Sequence, residues 1–370
     1  MSMADQPAPG ICPDWPVYGL PATVKRVRME QALSRLTRHH AGKCASYQKI
    51  LAARNIDANR DFSLAELPFL PVRLFKEWEL RSVDKEQVVK TLTSSGTTSS
   101  RVSQIYLDRD TSIAQTRALV FILQSLIGTA RLPMLIIDHP GVIRDRKSFS
   151  ARGAGILGLS TFGRDHTYAL RDDAMQIDLD AVRRFTERHA GRQILVFGFT
   201  FMIWKYFLQA LQTRGEQVDL GNAILIHSGG WKKMQDEAVD ATTFKSAALV
   251  AAGISRVHNF YGMVEQVGSI FVECEHGYLH APAFSDVLIR DASDWSVCPT
   301  GTSGLIQVLS VLPHSYPGHS LLTEDFGRVA GEDDCRCGRS GKYFEVAGRI
   351  ARAEVRGCSD THVAGGGSSQ

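Results

Sequence analysis

No stretch of this chain approaches the ~18 to 20 consecutive apolar residues that a membrane-crossing helix needs. Its opening, MSMADQPAPGICPDWPVYG, lacks the basic-then-apolar pattern of a secretory leader. Both absences make a soluble, cytoplasmic protein the expectation. Charge of neither sign is in excess: 42 Lys and Arg stand against 39 Asp and Glu, a net +3 over 370 residues. That balance gives no electrostatic reason to expect nucleic acid or an acidic membrane as partner. Cysteine is scarce and odd in number, seven in all, which argues against a disulfide framework and leaves metal binding, packing or thiol chemistry. No repeat of 20 to 50 residues is visible, and only the tail HVAGGGSSQ has linker composition.

What is present is an ordinary globular composition, 44% hydrophobic and 22% charged, in a chain long enough for one large domain with an appendage or for two to three smaller ones. Residues 1–90 read as mostly helical, with Pro68 and Pro71 breaking the period in SLAELPFLPVRLFKEW. Residues 91–267 alternate apolar strands (LPMLIID, ILVFGFT, NAILIHSGG) with amphipathic helices (DTSIAQTRALVFILQSLIG, DLDAVRRFTERHAG, FMIWKYFLQALQTRG), the pattern of parallel βαβ units. In the first of these helices the expected N-cap is Asp110, with Ile113, Val120, Leu123 and Ile127 on one side. Residues 268–348 read as a β-rich subdomain, and 349–370 as a hinge-like segment with a flexible tail. The fold class is therefore α/β with an added β-rich part.

One loop stands apart. In TLTSSGTTSSR, residues 91–101, four threonines, four serines and Gly96 surround a turn that contains no lysine. Hydroxyls and backbone N–H groups unhindered at a glycine can converge on phosphate oxygens. The Walker pattern G-x-x-x-x-G-K-[ST] is absent, so the familiar nucleotide loop is excluded. Taken alone, the segment reads more readily as an exposed Ser/Thr turn. Four further signals follow in order: HSGGWKK (227–233), FYGMVEQ (260–266), LTEDFG (322–327) and AGRIARAEVRGCSD (347–360). A carboxylate such as Glu265 beside a triphosphate is a natural Mg²⁺ ligand, and Asp325 is suited to accept from ribose hydroxyls.

As a set these motifs resemble the adenylate-forming superfamily of acyl-CoA synthetases and peptide-synthetase adenylation domains. TSSGTTS resembles that family's TSGTTG loop, SGG its adenine-side glycines, YGMVEQ its YGxTE, TED its ribose aspartate and GRIARAEVRG its GRxDxxxxxRG hinge. The resemblance implies that Thr93, Ser94, Ser95, Gly96, Thr97 and Thr98 hold the ATP phosphates, Thr97 being catalytic. It places Gly229, Gly230, Tyr261 and Gly262 around the nucleotide, Asp325 on the ribose, Arg349 at the hinge and Mg²⁺ on Glu265. With PVRLFKEWEL and VFGFTFMIW included, the chain most resembles the acyl-protein synthetases of bacterial fatty-acid reductase complexes, and next the phenylacetate-CoA ligases. Departures are Ser99 for the last loop glycine, Val264 for the YGxTE threonine and Ala351 for the hinge aspartate. The sequence also stops soon after the hinge, so the family's C-terminal lysine has no counterpart and Lys232 or Lys233 is the expected substitute.

Two cysteine groups carry possible chemistry. Cys358, just past the hinge and close to Arg356, is expected from the resemblance to accept the acyl group as a thioester, against the plain reading of an incidental exposed thiol. Cys335 and Cys337 in DDCRCGRSG, with Cys274 and either His276 or His280 in VECEHGYLH, offer four tetrahedral ligands for Zn²⁺; the alternative is reduced, partly buried thiols. Phenylacetate-CoA ligases have a similar arrangement, and the expected set is Cys274, His280, Cys335 and Cys337. Phe199, Met202 and Trp204 either line an apolar acyl channel or are plain core. The function expected is ATP-dependent activation of a fatty or other carboxylic acid, then transfer to the protein's own cysteine and on to an acyl reductase or acyl carrier. Transfer to coenzyme A or to a carrier protein, with an aromatic or short-chain acid as substrate, and a non-catalytic scaffold are the alternatives.

Overall fold

The computed structural model describes residues 16–94, 102–143, 151–172, 174–231 and 237–349. Two compact units emerge, each assembled from separate stretches of chain, whereas the segments drawn from the sequence are contiguous. The first takes residues 1–93, 101–128 and 260–354; the second takes 94–100, 129–259 and 355–370.

The first unit is built on antiparallel strands in the order Ser285–Arg290, Gly304–Ser310, Ser320–Glu332, Lys342–Arg349, Leu279–His280, Phe271–Glu273. The N-terminal helical region belongs to this unit for two physical reasons. Leu70–Pro71 adds a short parallel strand, with Leu70 opposite Leu321 and Pro71 opposite Leu322. The helix Ala22–Lys43 presents Met29, Leu33 and Leu36, at helical spacing, to a core that includes Phe62, Leu67, Leu288 and Leu309. Each such side chain, fully buried, contributes about 1.5–3 kcal/mol. The helix Arg109–Ile127 is also here. Its N-cap is Asp108, not Asp110: the Asp108 carboxylate accepts from Thr111 N at 2.8 Å. Its buried side is Thr111, Gln115, Ala118, Ile122, Leu123 and Ile127, and Ile113 is exposed. The expected face was wrong by part of a turn because it ignored the polar Thr111 and Gln115, which find buried partners.

The second unit holds parallel strands Gly163–Tyr168, Leu132–Ile136, Ile194–Phe199 and Ala223–Ser228, in that order, followed by the strand that starts at Arg256. Leu132–Ile136, Ile194–Phe199 and residues 223–227 are buried throughout, as a sheet covered on both faces requires. The helix Leu179–Arg188 starts at Asp178, whose side chain accepts from Ala181 N. The run from Thr200 to Thr213 is one helix with a π-helical middle, Ile203–Leu208. Three elements were not foreseen: the strand Gly163–Tyr168 and the helices Ala151–Ser160 and Ala241–Ala252.

Candidate active site and metal centre

The Ser/Thr/Gly loop leaves one strand and returns on another. Lys90–Thr93 pairs antiparallel with Gln104–Leu107, Thr93 facing Gln104. Ser95, Gly96, Thr97 and Thr98, like Lys232, Lys233 and Cys358, lie outside the described residues.

Three of the expected nucleotide residues of the first unit meet. Register on the paired strands sets Arg349 opposite Asp325, and Arg349 Nε donates to Asp325 Oδ1 at 3.2 Å. The other carboxylate oxygen accepts from the Tyr261 hydroxyl at 2.6 Å. Burial, then the Asp325 charge, holds the Tyr261 phenol well above its ordinary range, so it acts as a donor. Glu265, in the 3₁₀ turn Val264–Gln266, is 6% exposed. Burial raises its carboxyl above the usual range, and a hydrogen bond from the Ser103 hydroxyl acts in the opposite direction. Gly262 lies against Ile270, 3.0 Å from where a Cβ would stand.

In the second unit Gly229 has φ +86, and a Cβ there would meet the Phe199 ring at 3.0 Å; Gly230 faces open space. His227 just before them is buried. Thr200 Oγ1 donates to the Ser228 carbonyl, so His227 Nδ1 is the donor to Thr200 Oγ1 at 2.9 Å. Burial lowers the His227 pKa to about 3 and keeps it neutral. Phe199, Met202 and Trp204 are all buried, with Trp204 stacked on Phe244 and edge-on to Trp231. Sequence reasoning missed the buried ion pair of Asp138 and Arg152, at 3.0 Å past the end of Leu132–Ile136. Burial pushes the Asp138 carboxyl up to about 6 despite Arg152. Nothing in IIDHPG or SARG marks the two as partners.

The expected metal set converges. One ligand atom from each of Cys274, His280, Cys335 and Cys337 lies within 4.8 Å of the others. Cys274 and His280 flank a tight turn closed by Gly277 N to the Cys274 carbonyl. Cys335 and Cys337 sit in the turn after Ser320–Glu332, where Gly338, at φ +77, donates to the Cys335 carbonyl. The Cys274 and Cys335 sulfurs are 4.0 Å apart, and Cys337 Sγ is 3.3 Å from His280 Nε2. Tyr343, directly opposite His280, stacks on it. Burial raises the Cys337 thiol to about 12 and the Cys274 thiol above its ordinary value. Tetrahedral Zn²⁺ with bonds of about 2.0–2.3 Å sets its ligand atoms roughly 3.5–3.8 Å apart, so the wider pairs would draw in and the Cys337–His280 pair would open slightly. His276 is exposed and outside it.

The α/β fold, with parallel strands in one unit and antiparallel strands in the other, is that of solved adenylate-forming ligases. The likeness to solved structures gives the same fold. An open conformation of 2-hydroxyisobutyryl-CoA ligase matches with TM-score 0.67 at 14% identity, over 90% of this chain and 76% of that one. Its postadenylation state gives 0.69 at 15%, over 90% and 69%. More narrowly, the chain belongs to the acyl-protein synthetase family, LuxE, whose pattern it matches over residues 23–364. It is thereby an enzyme of the ATP-dependent, AMP-forming acid–thiol ligase type. Two relatives carry the name long-chain-fatty-acid–luciferin-component ligase. That of Vibrio harveyi is 23% identical over 80% of this chain and 77% of its own length. That of Aliivibrio fischeri is 20% identical over 86% and 84%. No helix among the described residues is long and apolar enough to cross a membrane.

Proposed function

We propose that the protein joins a long-chain fatty acid to ATP as acyl-AMP, moves the acyl group to its own Cys358, and passes it to a partner acyl reductase. The observation that carries the first half is the contact of Tyr261, Asp325 and Arg349 in a member of the acyl-protein synthetase family. The long-chain acid is taken from the names of the two relatives.

In this reading Asp325 accepts from the ribose hydroxyls, with Tyr261 and Arg349 fixing its two oxygens beforehand. The segment Thr93–Thr98 grips phosphate oxygens through hydroxyls and backbone N–H groups, Thr97 among them. Gly229 and Gly230 let the nucleotide lie close to the backbone, and Lys232 brings a cation to the acyl phosphate. Glu265 is the residue that would hold Mg²⁺, which when bound supplies positive charge that the loop lacks. The acid's carboxylate oxygen attacks the α-phosphorus while the bond to pyrophosphate breaks, and most of the rate gain comes from holding two anions together. The Cys358 thiolate then attacks the acyl carbon, the bond to AMP breaks, and AMP leaves with the electron pair. A thioester remains on the protein. Cys274, His280, Cys335 and Cys337 would hold one structural Zn²⁺, tying two turns of the first unit together.

ATP with radiolabelled fatty acid should label the protein covalently, and neutral hydroxylamine should release the label. Cys358→Ser should lose stable labelling yet keep ATP–pyrophosphate exchange, because adenylation precedes the thiol step. Acyl-CoA made from free coenzyme A by an unlabelled wild type would instead assign the acceptor to coenzyme A.

A further inference from the structure

The turn that carries Glu265 is gripped by contacts to residues outside the motifs, and Gln266, the last residue of FYGMVEQ, is at their centre. Gln266 is 1% exposed. Its Nε2 donates to the Val308 carbonyl at 3.1 Å and to the Gly318 carbonyl at 2.9 Å. Both amide hydrogens are thus spent on different parts of the unit, the strand Gly304–Ser310 and the approach to Ser320–Glu332. Three residues on, Ser269 Oγ meets Ser310 Oγ at 2.6 Å. The backbone fits as closely. Gly268, at φ +84, lies against the Gln115 backbone, and a Cβ on Gly318 would strike the Tyr316 ring and come within 2.9 Å of the Glu265 carbonyl oxygen. Among uncharged side chains only an amide of this length supplies two donors to two backbone carbonyls here: methionine has the volume without the donors, and glutamate would set oxygen against oxygen.

We propose that Gln266 is a positioning residue, which by tying the 264–266 turn to Val308 and Gly318 fixes the Glu265 carboxylate for the divalent cation before nucleotide arrives. The inference rests on the reading of Glu265 as the metal carboxylate. Gln266 touches no reacting atom; it acts through the backbone it shares with Glu265. Loss of a partner that orients a metal ligand commonly weakens metal affinity by about 10–100-fold.

The test compares Gln266→Met with Glu265→Gln. ATP binding is titrated calorimetrically with Mg²⁺ and in excess chelator, and the Mg²⁺ requirement of pyrophosphate exchange is measured alongside. For Gln266→Met the expected result is wild-type ATP binding in chelator, with a Mg²⁺ requirement about tenfold higher in both assays and near-normal exchange at saturating Mg²⁺. A merely structural role would lower thermal stability and exchange without moving the Mg²⁺ requirement, and that result overturns the proposal. If Glu265→Gln shifts the requirement and Gln266→Met does not, the inference falls and the reading of Glu265 stands. If neither shifts it, both fall. Hydrogen exchange on the wild type guards against a variant that does not fold. Backbone amides of 264–269 should be protected without nucleotide or metal; free-loop exchange there, slowed only by Mg²⁺ and ATP, would equally overturn a turn set in advance.

Discussion

Two clusters in the first unit have nearly the same ingredients and opposite chemistry. One is Cys274, His280, Cys335 and Cys337; the other is His39, His40, His314 and His319. In the histidine cluster His39 stacks on His314 at 4.0 Å and His40 on His319 at 5.0 Å. Four of their eight ring nitrogens are committed to hydrogen bonds. His40 Nε2 must donate to the Pro313 carbonyl, which leaves Nδ1 to accept from the Ser82 hydroxyl. His39 Nε2 donates to the His314 carbonyl. Thr37 gives its proton to the Leu33 carbonyl, so it accepts from His319 Nε2. In the cysteine cluster the ligand atoms face one another; His280 Nδ1, like His319 Nδ1 in the histidine cluster, has no hydrogen-bond partner among the described residues. What makes a metal site is lone pairs left facing one point, not the number of ligand-type side chains.

The largest test of this contrast is metal removal. Structural Zn²⁺ binding is worth on the order of 10 kcal/mol in small domains, and the whole of it is folding free energy where the site does not preform. Purified protein should therefore contain about one Zn²⁺ per chain, and chelation or Cys335→Ala should lower the melting temperature by many degrees. Substitution of His314 should leave the metal content unchanged. A metal-free preparation as stable as the native one would remove the contrast, leaving two clusters of buried neutral groups.

A second test asks whether the histidines work as packed, hydrogen-bonded core. His40 is fully buried, edge-on to Tyr47 and face-on to His319. His40→Ala removes an aromatic-sized ring and strands the Ser82 hydroxyl and the Pro313 carbonyl, so urea unfolding should show a loss of about 3–4 kcal/mol with metal content intact. A loss below about 1 kcal/mol would show that the stack is decorative.

The cysteine cluster was legible in the sequence and the histidine cluster was not, for a physical reason. Metal ligands come in short spacings set by one ion's radius, and CRC with CEHGYLH keeps that signature whatever the fold. His39 and His40 meet His314 and His319 only because the helix Ala22–Lys43 packs on the connection between Gly304–Ser310 and Ser320–Glu332. The same distinction runs through the rest of the chain. Strands buried on both faces, such as Ile194–Phe199, announce themselves as apolar runs, but the edge strand Gly163–Tyr168 is largely polar and carries no such run. The helix Ala151–Ser160 contains three glycines, and Ala241–Ala252 is rich in alanine with its exposed Leu249 and Val250 blurring the period. The contiguous segments drawn from the sequence had no way to register that residues 1–93 fold with 260–354, because the pairing of Leu70 with Leu321 is a long-range fact. At the site, motifs mark Tyr261, Asp325 and Arg349 singly; that Arg349 lies opposite Asp325 depends on register, and the bonds of Tyr261 to Asp325 and of Gln266 to Val308 and Gly318 are long-range contacts.

The smallest expected effect is the dependence of stability on pH, and it separates the clusters by sign of charge alone. His319 is 1% exposed, and burial, helped by neighbouring His39, lowers its pKa from 6.5 to about 3. His40 is lowered well below its ordinary value by burial and by the other three histidines. The outer pair is lowered too, His39 and His314 both chiefly by burial, with Asp108 and Asp110 acting in the opposite direction at His314. For a histidine depressed in the folded state, the unfolded chain takes up a proton below pH 6.5 and the native chain does not until about pH 3. Stability is therefore unaffected above pH 6.5 and falls as pH drops through that window, by about 1.4 kcal/mol per pH unit for each such histidine. Between pH 7 and pH 5 His319 alone accounts for about 2 kcal/mol. His319→Gln keeps a donor to Thr37 and carries no titratable group, so it should fold at pH 7 and lose about 2 kcal/mol less than the wild type on going to pH 5, read from paired urea titrations. Equal losses in both proteins would mean that His319 takes up its proton in the native state, and that the stack, like the cysteine cluster, holds lone pairs open to a cation.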